Sequence, residues 1–340
     1  MAEVRRAFQE PPGSGQMVAV ADGVYWLRFD LPFALNHVHL WALEDGDGWT
    51  IVDAGFADEP SRQVWRGLLE GPLGAKPIQR LIVTHFHPDH VGLAGWLCER
   101  TCAELWMPPT EWLTARLLSI DTSGDLTETT VDFYRRAGLP ADLVETFRRA
   151  GNVYRGRVSV TPARFVPLRH GQEVVIGCNP WRVITGAGHS PDLAMLHCPA
   201  LGLLISGDHV LPRISPNVAV WPSAPDDDPL AHYLSSFDAL AEVSADTLVL
   251  PSHDWPFFGL HPRIADLRHH HQRRLDDLTE ACRKPSTVYE LLPVLFDRTL
   301  DQHQIRFAVG EALSHLNFLV NTKNVSRLDA DADEPMVFSS

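Results

Sequence analysis

Hydrophobic and polar residues alternate through the first part of the chain. "MVAVADGVYWLRF", from Met17, predicts two strands around a turn at Asp22-Gly23. "NHVHLWAL" and "WTIVDAG" predict a second antiparallel pair about the turn in "EDGDG". The period becomes helical from Ser61 to Glu70, where Val64, Leu68 and Leu69 share a side. "IQRLIVT" then reads as a short apolar strand, and "VGLAGWLCER" as a helix carrying Val91, Leu93, Ala94 and Leu97. Residues 108–155 differ: "TEWLTARLLSI", "TETTVDFYRRAG" and "PADLVETFRRAGNVY" predict three helical pieces broken by Gly and Pro. Strands resume in "GQEVVIGCNPWRVITGAG", "LAMLHCPALGLLISGD" and "DTLVLPSH", the last preceded by a helical stretch from Pro229 to Val243.

Past His261 the pattern is helical. "RIADLRHHHQRRLDDLTEACR" reads as a long charged helix, and Thr287-x-x-Glu290 as a capping box opening "VYELLPVLF". In "IRFAVGEALSHLNFLV", Ile305, Val309, Ala312, Leu316 and Leu319 form one stripe. The expected organisation is α/β, with a flexible leader over 1–16 and a large β-rich domain over 17–262 that holds a helical insertion at about 108–155. A small, mainly helical domain over 263–328 and a loose acidic tail over 329–340 complete it.

Composition narrows the partners. A chain of 340 residues, 45% hydrophobic, can bury a full core. Its 29 Lys+Arg against 43 Asp+Glu give a net charge of -14, which disfavours nucleic acid. The five cysteines (Cys98, Cys102, Cys178, Cys198 and Cys282) contain no C-x-x-C pair, so reduced thiols are expected. The N-terminus lacks the apolar core of a signal peptide, and no uncharged apolar run approaches the ~20 residues that span a bilayer. A soluble, cytoplasmic protein with no membrane partner is expected, its oligomeric state open.

Candidate chemistry concentrates in "THFHPDH", Thr84 to His90. In extended backbone His85 and His87 project to one side. A helix starting at Pro88 would place Asp89 and His90 in its first turn, facing a second point nearby. Imidazole and carboxylate suit zinc, and also iron or manganese. His189 in "TGAGHSPD", Asp208 in "LLISGDHV" and His253 in "TLVLPSHDW" each stand just past an apolar strand. Four ligand-bearing segments at strand ends point to one metal-binding edge.

The order HxHxDH, His, Asp, His resembles the metallo-β-lactamase fold superfamily, nearest its glyoxalase II-like hydrolases, and "VDAG" at Val52 to Gly55 matches a further motif of that superfamily. The resemblance implies a four-layer αββα sandwich with two divalent metals at one edge, zinc first and iron or manganese as alternatives. By position, His85, His87 and His189 would hold one metal, Asp89, His90 and His253 the other, and Asp208 would bridge them. Asp53 would stand behind the ligands. The C-terminal helices resemble the winged-helix-like extension of some members. Where many glyoxalase II-like relatives read GHTxGH, this chain reads "GHSPDL", with Leu193 in place of the second histidine.

Two such cations, ~3.5–4 Å apart, can share a hydroxide that attacks a carbonyl carbon or phosphorus. Asp208 would fix the spacing, and Asp89 would orient the nucleophile. The expected activity is hydrolysis of a small thioester or carboxylic ester of the acyl-CoA, hydroxyacylglutathione or lactone type. The alternative is a metal-dependent endoribonuclease or phosphodiesterase. Trp112, Tyr134, Arg213 and Trp221 are candidate pocket residues, with Trp106, Phe133 and Tyr154 beside them, against the plainer reading that these aromatics pack their own segment. His269, His270 and His271 read as a solvated helix face, His37 and His39 as ordinary strand residues, and His303 and His315 as histidines without a partner pattern.

Overall fold

The computed structural model describes residues 3–328 and 334–340. Two seven-stranded sheets face each other. The first runs, in spatial order, Met17–Ala21, Val24–Asp30, His37–Asp45, Gly48–Val52, Ile78–Ile82, Glu104–Met107 and Val166–Pro167. The second runs Arg5–Arg6, Phe257–Phe258, Leu248–Pro251, Leu203–Gly207, Leu193–Cys198, Asn179–Gly186 and Glu173–Ile176. Trp26, Trp41, Val52 and Ile82 of the first sheet meet Trp181, Leu196, Ile205 and Leu250 of the second in a dry layer between them. The outer face of the first sheet carries helices Glu59–Glu70 and Ala94–Thr101 through Trp65, Leu68 and Leu97. The second carries Pro229–Ser236 and Leu260–Ala281 through Leu230, Tyr233, Leu260 and Leu267. The expected αββα sandwich is the fold.

Strand direction places the site. Gly48–Val52 and Ile78–Ile82 are parallel, as are Leu203–Gly207 and Leu248–Pro251. Asn179–Gly186 and Leu203–Gly207 each pair antiparallel with Leu193–Cys198, so those two run the same way. The C-terminal ends of these strands therefore gather at a shared edge, and polar loops collect there. The sheets are tied at that edge, where Ala194 N–H donates to Thr84 O at 2.9 Å and His39 N–H to Ser252 O at 2.7 Å.

The insertion forms helices Pro109–Ile120, Asp125–Arg136 and Ala141–Ala150. Its first helix packs on the first sheet's outer core through Ala115, while Phe133, Tyr134 and Phe147 of the other two join the core of the C-terminal helices with Leu291, Val309 and Leu313. The C-terminal part holds Val288–Leu295 and Gln302–Asn321 beside a three-stranded sheet of Ser286–Thr287, Val337–Ser339 and Ser326–Leu328. Both Thr287 and Asp301 form capping boxes, with Glu290 and Gln304.

Three expectations need correction. The leader is not free: Arg5–Arg6 pairs with Phe257–Phe258, and Phe8 packs against Trp26 at 5.9 Å, since an open sheet edge recruits a strand. The acidic tail falls partly outside the described residues, at 329–333. Beyond it Val337–Ser339 is the central strand of the small sheet, with Phe338 fully buried. Third, His271 is buried rather than solvated. It falls on the stripe Ile264, Leu267, His271, Leu275 and Leu278 that the long helix turns inward, and its Nδ1 lies 3.0 Å from His315 Nε2. Among the described residues, no helix is long and apolar enough to cross a membrane.

Candidate metal centre

Each candidate ligand sits where a strand ends. His85 and His87 follow Ile78–Ile82, and Asp89 and His90 lie in the short helix Pro88–Val91, with Pro88 at its first position. His189 follows Asn179–Gly186, Asp208 follows Leu203–Gly207, and His253 follows Leu248–Pro251. Glycine permits two of the approaches. At Gly92 a Cβ would lie 2.2 Å from Pro88 O and 2.5 Å from Gly55 O, so this turn closes against the Asp53 loop only without a side chain. Gly188, with φ +105, would put a Cβ 2.4 Å from Tyr233 Cβ.

The structure brings all seven together in overlapping groups. His85 Nε2 lies 2.9 Å from His87 Nδ1, which lies 3.0 Å from His189 Nε2. Two nitrogens on a tetrahedral ion stand about 3.3 Å apart, given Zn–N distances of ~2.0–2.1 Å, so this trio has nearly the spacing of a shell. Asp89, His90 and His253 form a second group. His253 Nε2 is 3.5 Å from Asp89 Oδ2, and His90 Nε2 is 3.7 Å from it. Asp208 reaches both groups, with Oδ1 3.4 Å from His90 Nε2 and Oδ2 3.3 Å from His253 Nε2 and 3.4 Å from His189 Nε2.

Whether these residues fit a cation is decided by atoms left without partners. His90 Nε2, His253 Nε2 and Asp208 Oδ1 are fully buried, and none makes a hydrogen bond. A buried polar atom without a partner is costly, and here three converge on one space. The other edge of each ring is occupied. His253 Nδ1–H donates to His37 O at 2.8 Å, His189 Nδ1–H to Asn217 O at 2.8 Å, and His90 Nδ1–H to Asp53 Oδ2 at 2.8 Å. Such bonds fix the tautomer and turn the free nitrogen inward. Asp53, at φ 65, also accepts from Thr84 N–H at 2.8 Å and from the Thr84 hydroxyl. It stands behind the ligands, and these bonds hold a non-glycine residue in left-handed backbone.

Electrostatics agree with the geometry. Burial, then the neighbouring imidazoles, holds His85 and His87 well below the usual histidine range, which favours the neutral ring that a metal ligand must be. Burial also opposes a charge on His90, yet the carboxylates of Asp208, Asp53 and Asp89 outweigh it and raise its pKa. The second group thus draws positive charge, as a divalent ion would supply. Asp89 keeps 21% of its side chain exposed against 9% for Asp208, so Asp89 is the more exposed of the two acids.

Glu111 has no distinguishing signal in the sequence, because an acid in a helix's first turn is ordinary. It is fully buried. Its Oε2 accepts Phe86 N–H at 3.0 Å, and its Oε1 accepts the Ser190 hydroxyl at 2.7 Å and Asp192 N–H at 2.6 Å. Burial pushes its pKa up to about 7 against the pull of these donors. The Tyr154 hydroxyl donates to Phe86 O at 2.6 Å. Both peptide groups of the residue between His85 and His87 are therefore held by the insertion. His37 is more than an ordinary strand residue: its carbonyl orients His253, and its Nε2 accepts Asp254 N–H at 2.9 Å.

The candidate pocket residues divide. Trp221, 39% exposed, lies 5.1 Å from Phe86 and 6.1 Å from His87 between ring centres. Arg213 donates to Asp254 Oδ1 at 2.8 Å, beside His253. Tyr134 and Trp112 do not line the centre. Tyr134 is buried against Phe147 with its hydroxyl on Arg306 O, and Trp112 stacks on Phe165 and donates to Pro162 O. Both fill the packing that their helices need.

This combination of paired sheets and His/Asp clusters at one edge defines a class. The chain belongs to the metallo-beta-lactamase superfamily, whose sequence pattern matches residues 35–253, and the pattern described as the metallo-beta-lactamase-like C-terminal domain matches residues 275–340. It is similar to a solved beta-lactamase domain protein from Burkholderia ambifaria, with 41% identity, 99% of this chain and 98% of that one covered, and a TM-score of 0.91. It is also similar to the metallo-beta-lactamase family protein TTHA1429 from Thermus thermophilus, with 28% identity, 94% and 99% coverage, and a TM-score of 0.79. The probable metallo-hydrolase YqjP of Bacillus subtilis (strain 168) is 23% identical over 305 residues, 88% of this chain and 92% of that protein. Membership, with the His/Asp groups, supports an enzyme and fits divalent metal binding.

Proposed function

We propose that this chain is a binuclear metal-dependent hydrolase of a small thioester or carboxylic ester. One observation carries the reading: three buried, unpartnered ligand atoms, on His90, His253 and Asp208, converge beside a complete three-histidine group. His85, His87 and His189 would hold one ion, and Asp89, His90 and His253 the other. Asp208 would belong to both, being within 3.4 Å of ligand nitrogens in each group.

Divalent ions at such a centre lower the pKa of water towards neutrality and polarise a substrate oxygen. The protein's own groups do the rest. Asp89, the more exposed acid, orients the attacking water with its free oxygen. Asp208 keeps the two groups in register. Thr84 and Asp53 hold His85 and His90 in fixed tautomers, so nothing reorganises when charge develops on the substrate. A thiolate leaving group requires no general acid, which suits a thioester. Zinc is the first candidate metal, because imidazole and carboxylate donors suit it.

Acyl-CoA, acyl-glutathione, lactone and RNA substrates, assayed with wild type and His85→Ala, test the reading. Ester or thioester hydrolysis lost in the variant is the expected result. RNA cleavage lost in the variant, with every ester untouched by the wild type, would overturn the substrate class.

A further inference from the structure

Contacts run in a closed circuit that leaves and rejoins the ligand turn. Trp221 rests on Phe86 and His87, and the preceding Val220 N–H donates to Gly310 O in the last helix at 3.0 Å. One turn earlier in that helix stand Arg306 and Phe307, and a further turn back stands His303. His303 lies 5.0 Å from Phe307 and stacks on Phe33 at 5.6 Å. Phe33 touches Phe56, in the turn after Asp53, at 5.2 Å and carries the Arg157 guanidinium over its face at 5.8 Å. Arg157 follows Tyr154 by one turn, and the Tyr154 hydroxyl is bonded to Phe86 O. The insertion, the segment before His37 and the C-terminal helix thus meet around the centre.

Two arginines stand in this circuit, Arg157 and Arg306. Both are partly buried, and among the described residues neither has a carboxylate within ion-pair distance, although the protein carries 43 acids. Each is seated on an aromatic face, Arg157 on Phe33 and Arg306 on Phe147, the latter at 4.5 Å. They lie near enough to repel: burial, then the charge of Arg306, lowers the pKa of Arg157. His303 is lowered by burial and then by Arg157, and Asp301 is the acid that acts against this. Two unneutralised guanidinium groups walled by aromatics fit an anion that arrives with an apolar portion.

We propose that Arg157 and Arg306 bind an anionic group of the substrate while Phe33, Phe307 and Trp221 receive its apolar part. The substrate is then a negatively charged, amphipathic ester or thioester, and neutral lactones are disfavoured. This rests on the hydrolase reading for what becomes of the ligand, but the binding site can be tested without turnover.

The probe is hexane-1-sulfonate, a weak metal ligand, with hexan-1-ol as its neutral counterpart, both titrated calorimetrically into the metal-loaded protein. The sulfonate is expected to bind at least ten-fold more tightly than the alcohol, with a preference that shrinks as salt is added. Arg157→Gln/Arg306→Gln should bring the two within two-fold at unchanged metal content, and Arg157→Lys/Arg306→Lys should restore part of the difference. Equal binding of both probes by wild type, or a sulfonate affinity indifferent to the Gln changes, would overturn the proposal. An arginine-dependent sulfonate site in a protein that cleaves no ester would leave this proposal standing and remove the hydrolase reading. Ester hydrolysis without sulfonate preference would do the reverse.

Discussion

A carboxyl group enclosed by protein must find donors or give up its charge. Glu111 finds three, and they belong to two separate ligand segments, Phe86 between His85 and His87, and Ser190 and Asp192 just past His189. Its effect is to set the distance between the histidines of the first group. Glu111→Gln replaces one acceptor oxygen by a donor that faces either the Phe86 or the Asp192 N–H, so the first group should loosen. Outer partners of this kind are worth roughly 10–100-fold in metal affinity. Competition with a chromogenic zinc chelator should therefore show one of two sites weakened by about that factor, with the other little changed. Equal weakening of both would mean that Glu111 serves the fold at large. None of this is legible in the sequence, since Glu111 stands among ordinary helix-start acids and its partners are 25 to 81 residues away. The candidate ligands are legible because each follows an apolar run, and strand ends are where chemistry-bearing loops sit.

At the scale of elements, the periodic segments are readable and their partners are not. The strands before His85, His189, Asp208 and His253 stand where their apolar runs predict them. The leader and the last residues of the chain escape sequence reading because a two- or three-residue strand has no periodicity. It exists only through its neighbour, as Arg5–Arg6 does through Phe257–Phe258. His271 escapes it for another reason: three adjacent histidines on a charged helix draw attention to charge, whereas the stripe of Ile264, Leu267, Leu275 and Leu278 already places His271 inside. Its burial has a consequence for acid stability. Burial, then His315, holds the His271 pKa at about 2, against about 6.5 in an unfolded chain. A histidine kept neutral by the fold binds its proton on unfolding, so its contribution is complete above about pH 6.5 and is lost as pH falls towards the folded value. His271→Gln should reduce the slope of unfolding free energy against pH between 5 and 6.5 by up to about 1.4 kcal/mol per pH unit. Denaturant titrations of metal-loaded wild type and variant check this, and parallel slopes would show that the helix opens locally to admit the proton.

The whole molecule divides its labour among three parts. The sandwich gathers strand ends at one edge, the insertion clamps the turn between His85 and His87, and the C-terminal helix closes the circuit at Trp221, Phe33 and Arg157. Pattern in the sequence reaches the first part, because hydrophobic runs report burial directly. The other two depend on which loops meet across the edge, and that is set by three-dimensional packing. Two metal ions are proposed to sit at this edge, held by His85, His87, His189, Asp89, His90, His253 and Asp208. Elemental analysis of the purified, zinc-saturated and desalted protein tests it most directly, comparing wild type with His253→Ala. Two ions per chain are expected in wild type and one in the variant, whereas fewer than one ion per wild-type chain, or a content unaffected by the substitution, would rule out the binuclear centre.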